Sequence, residues 1–123
     1  MTTKRILLVD DSELILQMAQ LMLQRDRYEV VMARDGGEGV AKAQELKPDL
    51  ILMDVIMPGL DGFEAVRRLR EHPDTSHVPI VMVTSRAEAE SMETGYECGC
   101  SDYIIKPIDA EELLAKVKNL LGD

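Results

Sequence analysis

The stretch that most restricts how this chain can fold is Asp49-Leu50-Ile51-Leu52-Met53-Asp54-Val55-Ile56-Met57-Pro58-Gly59-Leu60-Asp61-Gly62. An apolar run of strand length ends in one carboxylate and breaks at once into a loop. Leu50 to Met53 show no polar alternation, so both faces of this strand are expected to be buried, as in a parallel sheet covered by helices on each side. Pro58, Gly59 and Gly62 keep the following segment from continuing as strand or helix. Asp54 then stands at a strand's carboxyl end, the edge beyond which open α/β sheets bind ligands. Taken alone, it could equally serve only to end the strand.

A second acidic strand end separates the two readings. Arg5-Ile6-Leu7-Leu8-Val9 is another short apolar run, followed directly by Asp10 and Asp11. Neighbouring parallel strands present their carboxyl ends on one edge, so Asp10, Asp11 and Asp54 are expected to converge. Carboxylates packed together resist ionising unless a cation compensates them. Oxygen-only ligands suit a hard ion, and Mg²⁺ favours few carboxylates, several waters and a phosphate.

A chain of 123 residues without internal repeats fits one domain spanning 1–123, long enough for a real core. No apolar run approaches the ~20 residues of a membrane span, and Met1-Thr2-Thr3-Lys4 leads into a strand with no signal-peptide layout. The expectation is a cytoplasmic protein with no membrane association. A formal net charge of −9 argues against direct nucleic-acid binding, which needs clustered Lys and Arg; partners are expected to be proteins. Cys98 and Cys100, separated only by Gly99, lack the ligand number and spacing of a zinc site and would make a strained disulfide. They read as small, partly buried residues at a helix end. His72 and His77 read as solvated loop residues.

Taken in order, Ser12 is a good N-cap for a helix in which Leu14, Met18, Leu21 and Met22 recur at helical spacing to about Arg25. Tyr28 to Met32 form a second strand. Gly36, Gly37 and Gly39 mark a turn into a second helix that buries Val40, Ala43 and Leu46. Lys47-Pro48 ends it and leads to the acid-ended strand. Phe63, Val66, Leu69 and Arg70 belong to a third helix, closed at His72-Pro73-Asp74. Pro79 to Val83 form a fourth strand that delivers Thr84 and Ser85 to the acidic edge. A helix over 87–97 is dominated by Glu88, Glu90, Glu93 and Glu97, leaving it little apolar surface to hold it down. Asp102 to Ile105 form a fifth strand, and Asp109 caps a last helix with Leu113, Leu114, Val117, Leu120 and Leu121 on one face. Five rounds of alternation predict a doubly wound, flavodoxin-like (βα)5 fold, an α/β parallel sheet with strand order 2-1-3-4-5.

Lys106 follows the fifth strand, so its ammonium can reach the edge where Asp10, Asp11, Asp54 and Thr84 gather. Pro107 can hold the preceding bond in cis and fix where the lysine points. A carboxylate can attack a phosphoryl group and form an acyl phosphate. The transferring group then needs its spread negative charge met by a metal ion and a cation. In this arrangement Asp10 and Asp11 hold Mg²⁺, Asp54 attacks, and Lys106 and Thr84 bind phosphoryl oxygens.

Over its whole length the sequence resembles a response-regulator receiver domain of two-component signalling, similar to single-domain chemotaxis-type regulators. The matching motifs are Asp10-Asp11, Asp54 to Gly62, Thr84-Ser85 and Asp102-Tyr103-Ile104-Ile105-Lys106-Pro107. The resemblance implies that Asp54 is the phosphoacceptor and that Asp11, Asp54 and the backbone carbonyl of Ile56 ligate the metal, with Asp10 helping through water. It implies a switch pair, Thr84 and Tyr103, in which the hydroxyl moves to the phosphoryl group and the ring turns inward behind it. It implies a donor phosphohistidine on a sensor histidine kinase or phosphotransfer protein. The output is a downstream target protein or fused output domain, reached through the face of the fourth helix, fifth strand and last helix. Such a domain is no general enzyme; it promotes only its own phosphorylation and slow dephosphorylation. Ile56 and Arg86 lie where the family varies, and apolar Ile56 is expected to slow hydrolysis by crowding water. The weakly packed helix over 87–97 is the expected responsive element. The end at Leu120-Leu121-Gly122-Asp123 suits a free-standing regulator, and equally a receiver within a longer protein.

Two rivals fit less well. A flavodoxin-type carrier needs a hydroxyl- and glycine-rich loop after strand one, where Asp10-Asp11-Ser12-Glu13 would repel a phosphate. A haloacid-dehalogenase-type phosphohydrolase carries a second aspartate two residues after its nucleophile, and here that residue is Ile56.

Overall fold

Side chains alternate across a strand, and here both directions lead into apolar layers: Ile6 and Leu8 go to one side, Leu7 and Val9 to the other, and all four are buried. The computed structural model describes residues 3–55, 57, 59–85, 97 and 99–122. Among them the strands are β1 (Arg5–Val9), β2 (Glu29–Ala33), β3 (Leu50–Asp54), β4 (Ile80–Thr84) and β5 (Asp102–Ile105). The helices are α1 (Glu13–Gln24), α2 (Gly36–Leu46), α3 (Gly62–Glu71) and α4 (Ala110–Leu121). The sheet is parallel throughout in the order β2-β1-β3-β4-β5, as the sequence predicts. One layer packs β-strand residues such as Ile51, Met53 and Met82 with Ala65, Val66 and Leu69 of α3. The other packs Leu50, Leu52 and Val81 with Leu16 and Leu23 of α1 and Leu113 and Val117 of α4. β3 lies at the centre and is buried at every position.

Three expectations shift. The glycines at 36, 37 and 39 lie inside α2 rather than in a turn before it. The helix starts earlier because Asp35 caps it, accepting the Glu38 amide at 2.8 Å, while Glu38 Oε1 reaches back to the Arg34 amide at 3.0 Å. Strand β2 runs one residue later than expected, after Arg27 takes a positive φ of 66°. Strand β4 starts at Ile80 rather than Pro79 and ends in Thr84. Of the apolar repeat that identifies α1, Met22 packs partly against the core, but the fully buried residues are others. Leu16, Ala19 and Leu23 face the sheet, whereas Leu14 and Leu21 stand 66% and 67% exposed.

The end of the sheet away from the acids is tied together by Arg70. Its Nε donates to the Gly99 carbonyl at 2.8 Å, and its terminal nitrogen faces the carbonyls of Val78 at 2.6 Å, Ser76 at 3.2 Å and Thr75 at 3.3 Å. Burial pushes the guanidinium below its ordinary pKa, with Cys100 acting the other way. Cys100 is buried and His77 exposed. Arg70→Met leaves these carbonyls without their shared donor, and we expect it to cost about 3 kcal/mol of stability, read as a lower urea midpoint with an unchanged slope.

The expected helix over 87–97, apart from Glu97, lies outside the described residues, as do Ile56, Pro58, Arg86 and Cys98. No helix among the described residues is long and apolar enough to cross a membrane.

Candidate functional site

Backbone register brings the predicted site residues to one edge. β1 and β3 lie side by side with Val9 opposite Met53, so the residues that follow each strand position, Asp10 and Asp54, emerge together. Asp54 is opposite Val83 on β4, and Thr84 is opposite Ile105 on β5. The stitching continues past the ladder: the Val55 amide donates to the Val83 carbonyl at 3.2 Å and the Lys106 amide to the Thr84 carbonyl at 2.6 Å. Carboxylate, hydroxyl and lysine therefore leave three adjacent strands at one level.

Asp10 and Asp54 are only 4% and 6% exposed, while Asp11 is open to solvent. One carboxylate oxygen from each lies within 4.8 Å of the other two. Asp10 is aimed by its own loop, where the Ser12 amide donates to its Oδ1 at 2.9 Å, and the Ser12 hydroxyl in turn accepts from the Ile15 amide at 3.4 Å to cap α1. Lys106 Nζ stands 3.4 Å from both Asp54 Oδ1 and Asp10 Oδ2. The Lys106-Pro107 bond is cis.

Among the described residues, Lys106 is the one cation within 4.0 Å of Asp10 and Asp54, against three carboxylates gathered within 4.8 Å. The Asp54 carboxyl is accordingly pushed up from 3.8 to about 6, first by burial and then by the charge of Asp10; Lys106 opposes both, and Asp11 adds a smaller rise. A divalent cation relieves that frustration directly, and oxygen donors from two strand ends are the ligands a hard ion accepts. The residues present therefore fit Mg²⁺.

The Thr84 side chain is buried, and its hydroxyl donates to the Ser85 carbonyl at 3.3 Å. Tyr103 of β5 lies opposite Met82 of β4, is 2% exposed and belongs to the same apolar layer as residues of α2 and α3. The Ile56 carbonyl lies outside the described residues.

Sequence reasoning missed two contributors. Ser12 caps α1 as its place predicts, and its amide also orients Asp10; an Asp two residues before a Ser is the signal for that bond. Gly62, a loop breaker by sequence, is the first residue of α3, and its amide donates to the Val55 carbonyl at 2.9 Å. A Cβ there would come within 2.2 Å of the Asp54 carbonyl oxygen, a close approach with no signature in the sequence.

Comparison with known proteins identifies a family for the chain and its fold. The family model described as response regulator receiver domain matches residues 6–118. PilH of Pseudomonas aeruginosa is 41% identical over 118 residues, covering 96% of this chain and 98% of that protein. The chemotaxis protein CheY4 of Vibrio cholerae superposes with a TM-score of 0.91 at 38% identity, covering 98% of this chain and all of that one (100%). The receiver domain of the sensor histidine kinase PA1611 from Pseudomonas aeruginosa, solved with a magnesium ion coordinated in its active-site cleft, superposes with a TM-score of 0.91 at 32% identity, covering 99% of this chain and 100% of that one. Other matched regulators are longer, and the chain spans 48% of one and 26% of another.

Proposed function

Since the chain belongs to the response regulator receiver domain family, the phosphorylation-dependent signalling switches of two-component systems, we propose that Asp54 is its phosphoacceptor. The observation that carries this reading is the buried Asp54 carboxylate at the centre of one edge, with two further carboxylates within 4.8 Å and an ammonium at 3.4 Å. An Asp54 oxygen attacks the phosphorus of a phosphohistidine, the P–N bond breaks, the imidazole leaves with its electron pair and takes up a proton, and an acyl phosphate remains. Lys106 holds a phosphoryl oxygen by charge. Thr84 exchanges its bond to the Ser85 carbonyl for one to a second oxygen. Asp11, Asp54 and the backbone carbonyl of Ile56 would hold Mg²⁺, with Asp10 helping through water. Mg²⁺, when bound, supplies the positive charge that lets the acids and the phosphoryl group share one pocket.

Residues 1–123 then form one receiver domain that acts on its own aspartate rather than on a released product. Its donor is a sensor histidine kinase or a phosphotransfer protein in the cytoplasm. Its output is a target protein or a fused output domain. Thr84 and Tyr103 stand on the same face of neighbouring strands, because Tyr103 lies opposite Met82, two residues before Thr84. They form the switch pair, and the segment over 87–97 carries the change outward. The added charge and acceptor oxygens shift a two-state equilibrium that already exists.

Incubation with acetyl phosphate and Mg²⁺ tests the reading. The wild type is expected to gain about 80 Da by intact mass, and Asp54→Asn or addition of EDTA to abolish the gain. An adduct on Asp54→Asn, or none on the wild type, would refute it.

A further inference from the structure

We infer that Gly36, in α2 and outside every motif that carries the site, is a positioning residue for Mg²⁺ binding and phosphoryl transfer at Asp54. The inference rests on the reading of the carboxyl edge given above. Asp35 fixes where α2 begins by accepting the Glu38 amide at 2.8 Å, so the first turn cannot slide freely. Gly36 is buried in that turn. A Cβ on it would stand 2.4 Å from the Leu60 carbonyl oxygen and 3.2 Å from both the carbonyl carbon and the Cβ of Leu60. The nearest obstacle is main chain, which cannot rotate aside as a side chain can. Either α2 or the loop must retreat.

Leu60 belongs to the connection from β3 to α3. That connection is pinned where it leaves the sheet, by the Val55 amide on the Val83 carbonyl at 3.2 Å. It is pinned again where it returns, by the Gly62 amide on the Val55 carbonyl at 2.9 Å. At the return there is no slack, since Gly62 already lies against the Asp54 carbonyl. A push on Leu60 from α2 therefore passes to the backbone of Asp54 instead of dissipating in solvent. The next residue provides the contrast. A Cβ on exposed Gly37 would meet only Asp35 Oδ1, at an ordinary 3.4 Å.

The test is calorimetric titration of the full chain with MgCl₂, comparing wild type, Gly36→Ala and Gly37→Ala. Gly36→Ala is expected to raise the Kd for Mg²⁺ about tenfold or more, the usual effect of disturbing the support of a ligand set, while Gly37→Ala matches the wild type. Equal affinities in all three overturn the inference. Coupling is reciprocal, so the wild type offers a second measurement that needs no variant to fold. Mg²⁺ should slow hydrogen exchange at the amides of the first turn of α2, and exchange there that ignores the metal also overturns the inference. A wild type that binds no Mg²⁺ at all would overturn the site reading itself, and this inference with it.

Discussion

Asp54→Asn is expected to make the metal-free protein more stable near neutral pH, by about 3 kcal/mol, even as it abolishes phosphorylation. The Asp54 carboxyl is pushed up from 3.8 to about 6 by burial and by Asp10. The folded chain therefore holds this proton more tightly than the unfolded one. Stability falls as pH rises from about 4 to about 6, and above that the full cost of an ionised, crowded carboxylate is present. The variant carries no such charge. Its advantage should be largest in EDTA at about pH 8 and vanish below about pH 4. Adding Mg²⁺ should narrow the gap from the wild-type side, because the cation stabilises the ionised carboxylate. Urea melts across pH, with and without metal, give the comparison; a variant no more stable than wild type in EDTA at about pH 8 contradicts the crowding of charge at this edge.

Lys106→Met should separate binding from chemistry. The ammonium is the described cation nearest Asp10 and Asp54, 3.4 Å from each. Its removal takes away the positive charge beside Asp10 and Asp54, so Mg²⁺ is expected to bind more tightly at about pH 8, above the pH at which Asp54 gives up its proton. Transfer from acetyl phosphate should nevertheless slow about 100-fold, the typical loss when one preorganised donor to a charged transition state is deleted. Opposite signs in the two measurements distinguish a group that meets the transferring phosphoryl from one that merely holds the loop after β5. If binding and rate weaken together, Lys106 acts through structure.

How much of this was legible in advance depends on whether the controlling physics is local. The run Leu50 to Met53 announces a strand buried on both faces, and β3 is buried throughout. Asp10, Asp54, Thr84 and Lys106 were readable because parallel strands end on one edge, whatever the details of packing. Periodicity was a weaker guide to direction. In α1, Leu14, Met18, Leu21 and Met22 satisfy the helical repeat as well as Leu16, Ala19 and Leu23 do, but the second set is buried against the sheet and of the first only Met22 packs partly on that core. The pattern names the element without saying which side is inward. The glycines were misjudged for a different reason. At positions 36 and 62 the missing side chain accommodates main chain from elsewhere in the fold, and nothing in the neighbouring residues encodes that encounter. Tyr103, expected as the aromatic half of a switch pair, is 2% exposed in this structure.

The amide of Lys106 rests on the carbonyl of Thr84, one step beyond the last paired residues of β4 and β5. Two fingertips of the same hand are thus joined at the knuckle. A shift of the main chain at Thr84 is therefore expected to carry the main chain of Lys106 with it, so the platforms under the hydroxyl and the ammonium answer an arriving anion as one.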